Sequence, residues 1–152
     1  MKRDFDEMME QVKALHAELM RVPLRTRNAL PPQDNFPGVY VFFEDGHALY
    51  AGRGGNVRQR VMQHSRASVH DAPFAYRLAR EATGLKATYK AQGGRKWLKT
   101  HPRFCRALRV AKLRIAKMSV RYVRVDDPVT QALLEIYSST LLNTPYNEFK
   151  TT

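Results

Sequence analysis

Gly38-Val39-Tyr40-Val41-Phe42-Phe43-Glu44-Asp45-Gly46-His47-Ala48-Leu49-Tyr50-Ala51-Gly52 is the stretch on which the reading of this chain turns. The run up to Phe43 is β-branched and aromatic, as a strand favours, and it ends in a turn cluster whose Asp45-Gly46 pair suits a tight hairpin. His47 to Gly52 is the returning strand. Arg53-Gly54-Gly55-Asn56 follows as a glycine-rich loop, and Asn56 is placed to cap a helix from about Val57 to Ser65. Two strands therefore feed one helix.

Upstream, Phe5, Met8, Met9, Val12, Leu15, Leu19 and Met20 recur at helical spacing, with Asp4 as N-cap and Pro23 as the stop. This amphipathic helix either packs on the domain or serves as a dimerisation or partner helix. Residues 23–37, rich in proline and asparagine, read as a loop. Downstream, Asp71 with Pro73 just inside starts a helix that stops near Thr83-Gly84. Leu85 to Thr100 reads mainly as loop. From Pro102 to about Lys117, Phe104, Leu108, Ala111 and Ile115 form one stripe of a basic amphipathic helix. Met118 to Val125 alternates as a strand, and Asp127-Pro128 opens a last helix running to Leu142.

The chain has 152 residues and a formal net charge of +12. The excess is not spread evenly: residues 82–125 carry thirteen Lys or Arg and no Asp or Glu. Cations at that density repel one another unless a polyanion is near, which points to nucleic acid rather than to a merely solvated face. Phosphate contacts are expected from Arg95, Lys96, Lys99, Arg103, Arg106, Arg109 and Lys112, with Trp97 and Phe104 interleaved as a stacking surface. No apolar run approaches the length of a membrane span, and the start of the chain turns acidic at once, so a cytoplasmic location without membrane contact is the expectation. Cys105 is the single cysteine, which excludes an internal disulfide and a cysteine-based zinc site.

Gly38-Val39-Tyr40, the ten-residue step to Tyr50-Ala51-Gly52, then Arg60 and His64 on the next helix, Glu135 on a late helix after a strand, and finally Tyr146-Asn147 resemble the signature of the GIY-YIG nucleases in order and spacing. Val39 and Ala51 stand where the family name has isoleucines. The match covers roughly residues 37–66 and 118–149. The resemblance implies an α/β fold with a small, mainly antiparallel three-stranded sheet flanked by helices. Residues 1–36 would then be an N-terminal helix and linker, and 37–149 the nuclease domain with a basic helical insert at 67–117.

It also implies a magnesium- or manganese-dependent endonuclease that cuts phosphodiesters with one metal ion. The residues suit that chemistry, which needs an activated water, charge relief on the phosphate and help for the leaving oxygen. Tyr40 and Tyr50, facing each other across the hairpin, are expected to share a hydrogen bond and, with nearby cations, to lower a phenol's pKa, making Tyr40 the general base. Arg60 would hold the scissile phosphate, and His64, one turn on, would donate or relay a proton. Arg53 and Arg58 would position phosphates. Glu135 is the expected metal ligand, since magnesium accepts one or two carboxylates with water and substrate phosphate. Asn147 would steady the phosphate or the site. DNA is the expected substrate, with RNA not excluded, and a palindromic target would ask for a homodimer. The rival from another class is a basic nucleic-acid-binding protein on the same fold that does not turn over.

Overall fold

The structure is a computed structural model and describes residues 2–66, 72–85, 98 and 100–149. The chain divides into two compact units, one made of the residues up to Val61 together with those from Met118 onward, the other of Met62–Lys117. No helix among the described residues is long and apolar enough to cross a membrane.

The first unit is α/β. It contains α1 (Phe5–Arg21), the strands β1 (Arg25–Thr26), β2 (Gly38–Glu44), β3 (His47–Gly54) and β4 (Ser119–Arg124), and a late helix, α5 (Pro128–Leu142). A short helix, α2 (Val57–Ser65), leaves this unit and ends in the other. The strands form one sheet in the order β1-β4-β2-β3, every neighbouring pair antiparallel. The sheet thus has a fourth strand where three were expected. Arg25 and Thr26 pair with Val120 and Ser119, and two residues are too few for any periodicity to announce them inside a proline-rich stretch.

Alternation along the strands sends Val39, Val41, Phe43, Ala51 and Val123 to one face, where they meet Val12 and Leu19 of α1 and Leu134 of α5. Of the two readings of the N-terminal helix, packing on the domain is therefore what the structure displays. Both flanking helices begin with aspartate caps. Asp4 accepts from the backbone N–H groups of Asp6 and Glu7, and Asp127 accepts from Thr130 N and Thr130 Oγ1, each at 2.9 Å. Arg3 adds an ion pair to Asp127 at 2.9 Å.

The β2–β3 turn is Asp45-Gly46, with φ of 51° and 80°, the positive pair that a two-residue hairpin turn requires. Glu44 pairs with His47 and Phe43 with Ala48, but then the register shifts so that Phe42 pairs with Tyr50 and Tyr40 with Gly52. Leu49 is the extra residue, a β-bulge. Tyr40 and Tyr50 consequently lie two positions apart along the same face and not directly opposite each other, which corrects the expectation that they face one another across the hairpin.

In the second unit α3 (Pro73–Thr83) and α4 (Pro102–Ala116) pack together. The N-cap of α3 is Ala72, and Asp71 lies outside the described residues. Gly84, at φ 70°, ends that helix, and the Arg103 guanidinium donates to the Thr83 carbonyl there. Phe104, Leu108, Ala111 and Ile115 are buried as their spacing predicts, with the Phe104 ring 5.0 Å from that of Tyr76.

The caps on α5 can be tested by pH. Arg3 and the Thr130 hydrogen bonds hold the Asp127 carboxyl at about 2, below its ordinary 3.8. A lowered carboxyl contributes stability above about pH 4 and loses it as pH falls through about 2. Asp127→Asn should keep the cap at neutral pH while flattening the acid limb of urea-unfolding stability, and Asp127→Ala should lose both. An unaltered acid limb in Asp127→Asn would remove this carboxyl as its source.

Candidate active site

The site is built around Tyr40, which is 1% exposed. Across the sheet, Tyr40 lies in register with Gly52 on β3 and Tyr122 on β4, so the three share a face. A Cβ on residue 52 would overlap the Tyr40 ring and hydroxyl. Glycine is therefore required here by space, since the phenol lies across the β3 backbone. Gly38 plays a similar part for the next helix, because a Cβ there would run into the Val123 carbonyl and come within 2.9 Å of Val57 Cγ2 at the start of α2. The helix start is fixed further by Val57 N donating to Phe36 O at 2.9 Å and Gln59 N to the Asn56 side chain at 3.0 Å.

From α2, Arg60 forms a side-chain hydrogen bond with Tyr40, and Tyr50 and Glu135 lie within electrostatic reach of the same phenol. Four residues from four elements, β2, β3, α2 and α5, thus converge. Their effect on the phenol differs from the sequence expectation. Burial pushes the Tyr40 pKa up strongly, Tyr50 and Glu135 push it further, and Arg60 opposes them without winning. Tyr40 is thus a neutral phenol at rest, because desolvation and Tyr50 outweigh the nearby cation, with Glu135 adding to them.

Of the two roles expected for Asn147, steadying the phosphate or the site, its hydrogen bonds bear on the second. Its Oδ1 accepts from Ala51 N and its Nδ2 donates to Ala51 O, both at 2.8 Å, while Thr144 Oγ1 also donates to Oδ1 at 2.8 Å. Tyr146 N donates to Leu49 O at 3.2 Å. The C-terminal tail therefore pairs with the outer edge of β3 at and beside the bulge, and Asn147 positions the strand that carries Tyr50 and Gly52.

His64 is fully buried, with its ring edge-on to Phe74 at a centroid distance of 6.4 Å. It is thus buried in the second unit as Tyr40 is in the first. Arg53 is exposed and Arg58 half-buried. Among the basic residues of the insert, Arg95, Lys96 and Lys99, together with Trp97, lie outside the described residues, while Arg103, Arg106 and Arg109 are exposed on α4. Lys112 is not: it is 5% exposed, and its Nζ donates to Arg66 O at 2.9 Å. Burial lowers its pKa. A step of three residues on a helix of 3.6 per turn drifts by about 60°, so by Lys112 the row begun at Arg103 has turned about 180° to the packed side. Phe104 is fully buried too and offers no stacking surface.

Sequence reasoning missed Tyr122, the β4 neighbour of Tyr40. Its hydroxyl donates to Asp34 across 88 residues of chain, and burial with that carboxylate pushes its pKa up to about 12. Only the register of β2 with β4 reveals it. Among the described residues, no group of three or more His, Cys, Asp or Glu gathers into a ready-made metal cage. Glu135, half-buried beside Tyr40, is the carboxylate at the site, and a single carboxylate fits magnesium if water and substrate phosphate complete the shell.

No protein-family model, curated protein or solved structure matches this chain.

Removing the Asn147 amide leaves Ala51 N–H and C=O without their partner, at a cost of about 1–3 kcal/mol. Asn147→Ala should lower unfolding stability by that amount, whereas a side chain serving only a bound phosphate would leave stability unchanged and alter substrate affinity alone.

Proposed function

We propose that this chain is a magnesium- or manganese-dependent endonuclease of the GIY-YIG type, hydrolysing DNA phosphodiester bonds with one metal ion. The observation that carries the reading is the convergence of Tyr40, Tyr50, Arg60 and Glu135 on one buried phenol. Four such side chains delivered by four elements are more than packing demands, and all four are among the residues that the motif singles out.

Arg60 binds the scissile phosphate and offsets charge building up on it, since a guanidinium has five donors and the bond to Tyr40 uses one of its directions. Tyr40 Oη orients the attacking water and, once deprotonated, takes its proton. Loss of the Oη proton becomes easier as the negative charge of Glu135 is neutralised, because that carboxylate is one of the groups raising the phenol. A divalent cation held by Glu135 would supply that neutralisation and polarise the phosphate. Tyr50 shields the phenol on the same face, and Asn147 keeps β3 in register beneath it. The exposed arginines of the second unit supply phosphate contacts that position the duplex.

Supercoiled plasmid incubated with the intact protein should be nicked with magnesium or manganese and spared with chelator. Glu135→Ala, Arg60→Ala and Tyr40→Phe should each cut at least about 100-fold more slowly while still binding DNA. With a phenol raised above its ordinary 10, the base form grows tenfold per pH unit below the pKa. The cleavage rate should therefore climb with a slope near one from about pH 6 to about 9. An intact protein that binds DNA tightly but cuts with no divalent ion would leave a non-catalytic binding protein instead.

A further inference from the structure

The exposed side of α4 holds more than cations. Arg106, Val110, Leu113 and Lys117 follow one another at helical intervals of four, three and four, and all four are exposed, with Arg109 and Arg114 flanking the line. Val110 and Leu113 are each 65% exposed. No Asp or Glu lies anywhere in the fifteen residues of this helix. Its opposite side is fixed within the second unit by Phe104 against Tyr76 and by Lys112 on the Arg66 carbonyl. A helix of this length is a rod of about 22 Å, held from behind and charged in front.

The mixture selects the occupant. Phosphates alone give two large aliphatic side chains at the centre of the face nothing to touch. A membrane surface takes helices with a broad apolar face and cations at its borders, whereas here the cations lie in the line of the aliphatics and no aromatic accompanies them. The major groove of duplex DNA offers both partners, phosphates along its walls and the 5-methyl groups of thymine on its floor, and at about 12 Å it admits one helix. We infer that the exposed face of α4 reads the major groove, Val110 and Leu113 touching thymine methyls while Arg106, Arg109, Arg114 and Lys117 hold the flanking phosphates. The inference rests on the nucleic-acid reading above and is independent of the chemistry at Tyr40.

The test separates the two. Full-length Glu135→Ala protein is allowed to select from a library of random duplexes, and the enriched duplex is then remade with deoxyuridine in place of thymidine, which deletes only the methyls. Affinity should fall by about fourfold for each thymine methyl that Val110 or Leu113 covers. A V110S/L113S variant, whose folding is checked by circular dichroism, should bind the thymine and uracil duplexes equally with an unchanged salt dependence. Arg106→Ala should weaken all duplexes alike and reduce the slope of log affinity against log salt by about one. No enrichment from the library, or a thymine preference that survives V110S/L113S, overturns the proposal. So does a V110S/L113S variant that loses binding to phosphatidylserine vesicles and keeps its DNA preference. Failure of the nuclease reading is seen separately, in the absence of cutting by the intact protein.

Discussion

Between Phe42 and Phe43 the hairpin register slips by one residue, and every side chain of β3 beyond Leu49 changes face because of it. Had the pairing set at the turn continued, Tyr40 would lie opposite Ala51, whose methyl would stand where the phenol now lies. Ala51 would leave the core that it shares with Val41 and Val39, and Tyr50 would turn into that core in its place. The bulge therefore decides at once what is packed and what is gathered at the site. It is also gripped from outside, since Leu49 O and both backbone groups of Ala51 are taken by Tyr146 and Asn147. Those bonds close part of an edge that would otherwise present unpaired donors and acceptors.

Around Tyr40 the electrostatics are arranged in opposition. A buried phenol beside a second tyrosine and a carboxylate is held neutral, and the guanidinium bonded to it only moderates that tendency. Such a group is sensitive to any charge that arrives nearby, because in a poorly solvated site a neighbour's charge is weakly screened. The second unit handles charge differently. Its exposed arginines keep their solvent, while Lys112, turned to the packed side of α4, donates to a backbone carbonyl and has its pKa lowered by burial.

What could be read in advance was local. Asp45-Gly46, Asn56, Asp127-Pro128 and the four-residue recurrences of α1 and α4 each act within one turn or one helix, so the residues alone announce them. The motif names Tyr40, Tyr50, Arg60 and Glu135 among its residues, and the structure brings those four to one place. Their physical state was not legible, because the phenol's pKa depends on burial that no spacing encodes. The same holds for Asn147, whose partner is 96 residues away, and for Tyr122 with Asp34. Lys112 was misplaced for a simpler reason, a three-residue rhythm that is close to the helical period without matching it.

The order of the strands in space differs from their order in the chain, and this bears on how the protein is made. β4 sits between β1 and β2 yet is the last of the four to leave the ribosome, and the whole of Met62–Lys117 precedes it. Until then β1 has no strand to pair with, and β2 and β3 are an isolated hairpin, which is marginal in water. The helical pair α3–α4 comes from one continuous run and can form without waiting. Assembly of the sheet is therefore a long-range closure, the kind of contact that slows folding, and until it is made an uncovered strand edge is open to the wrong partner.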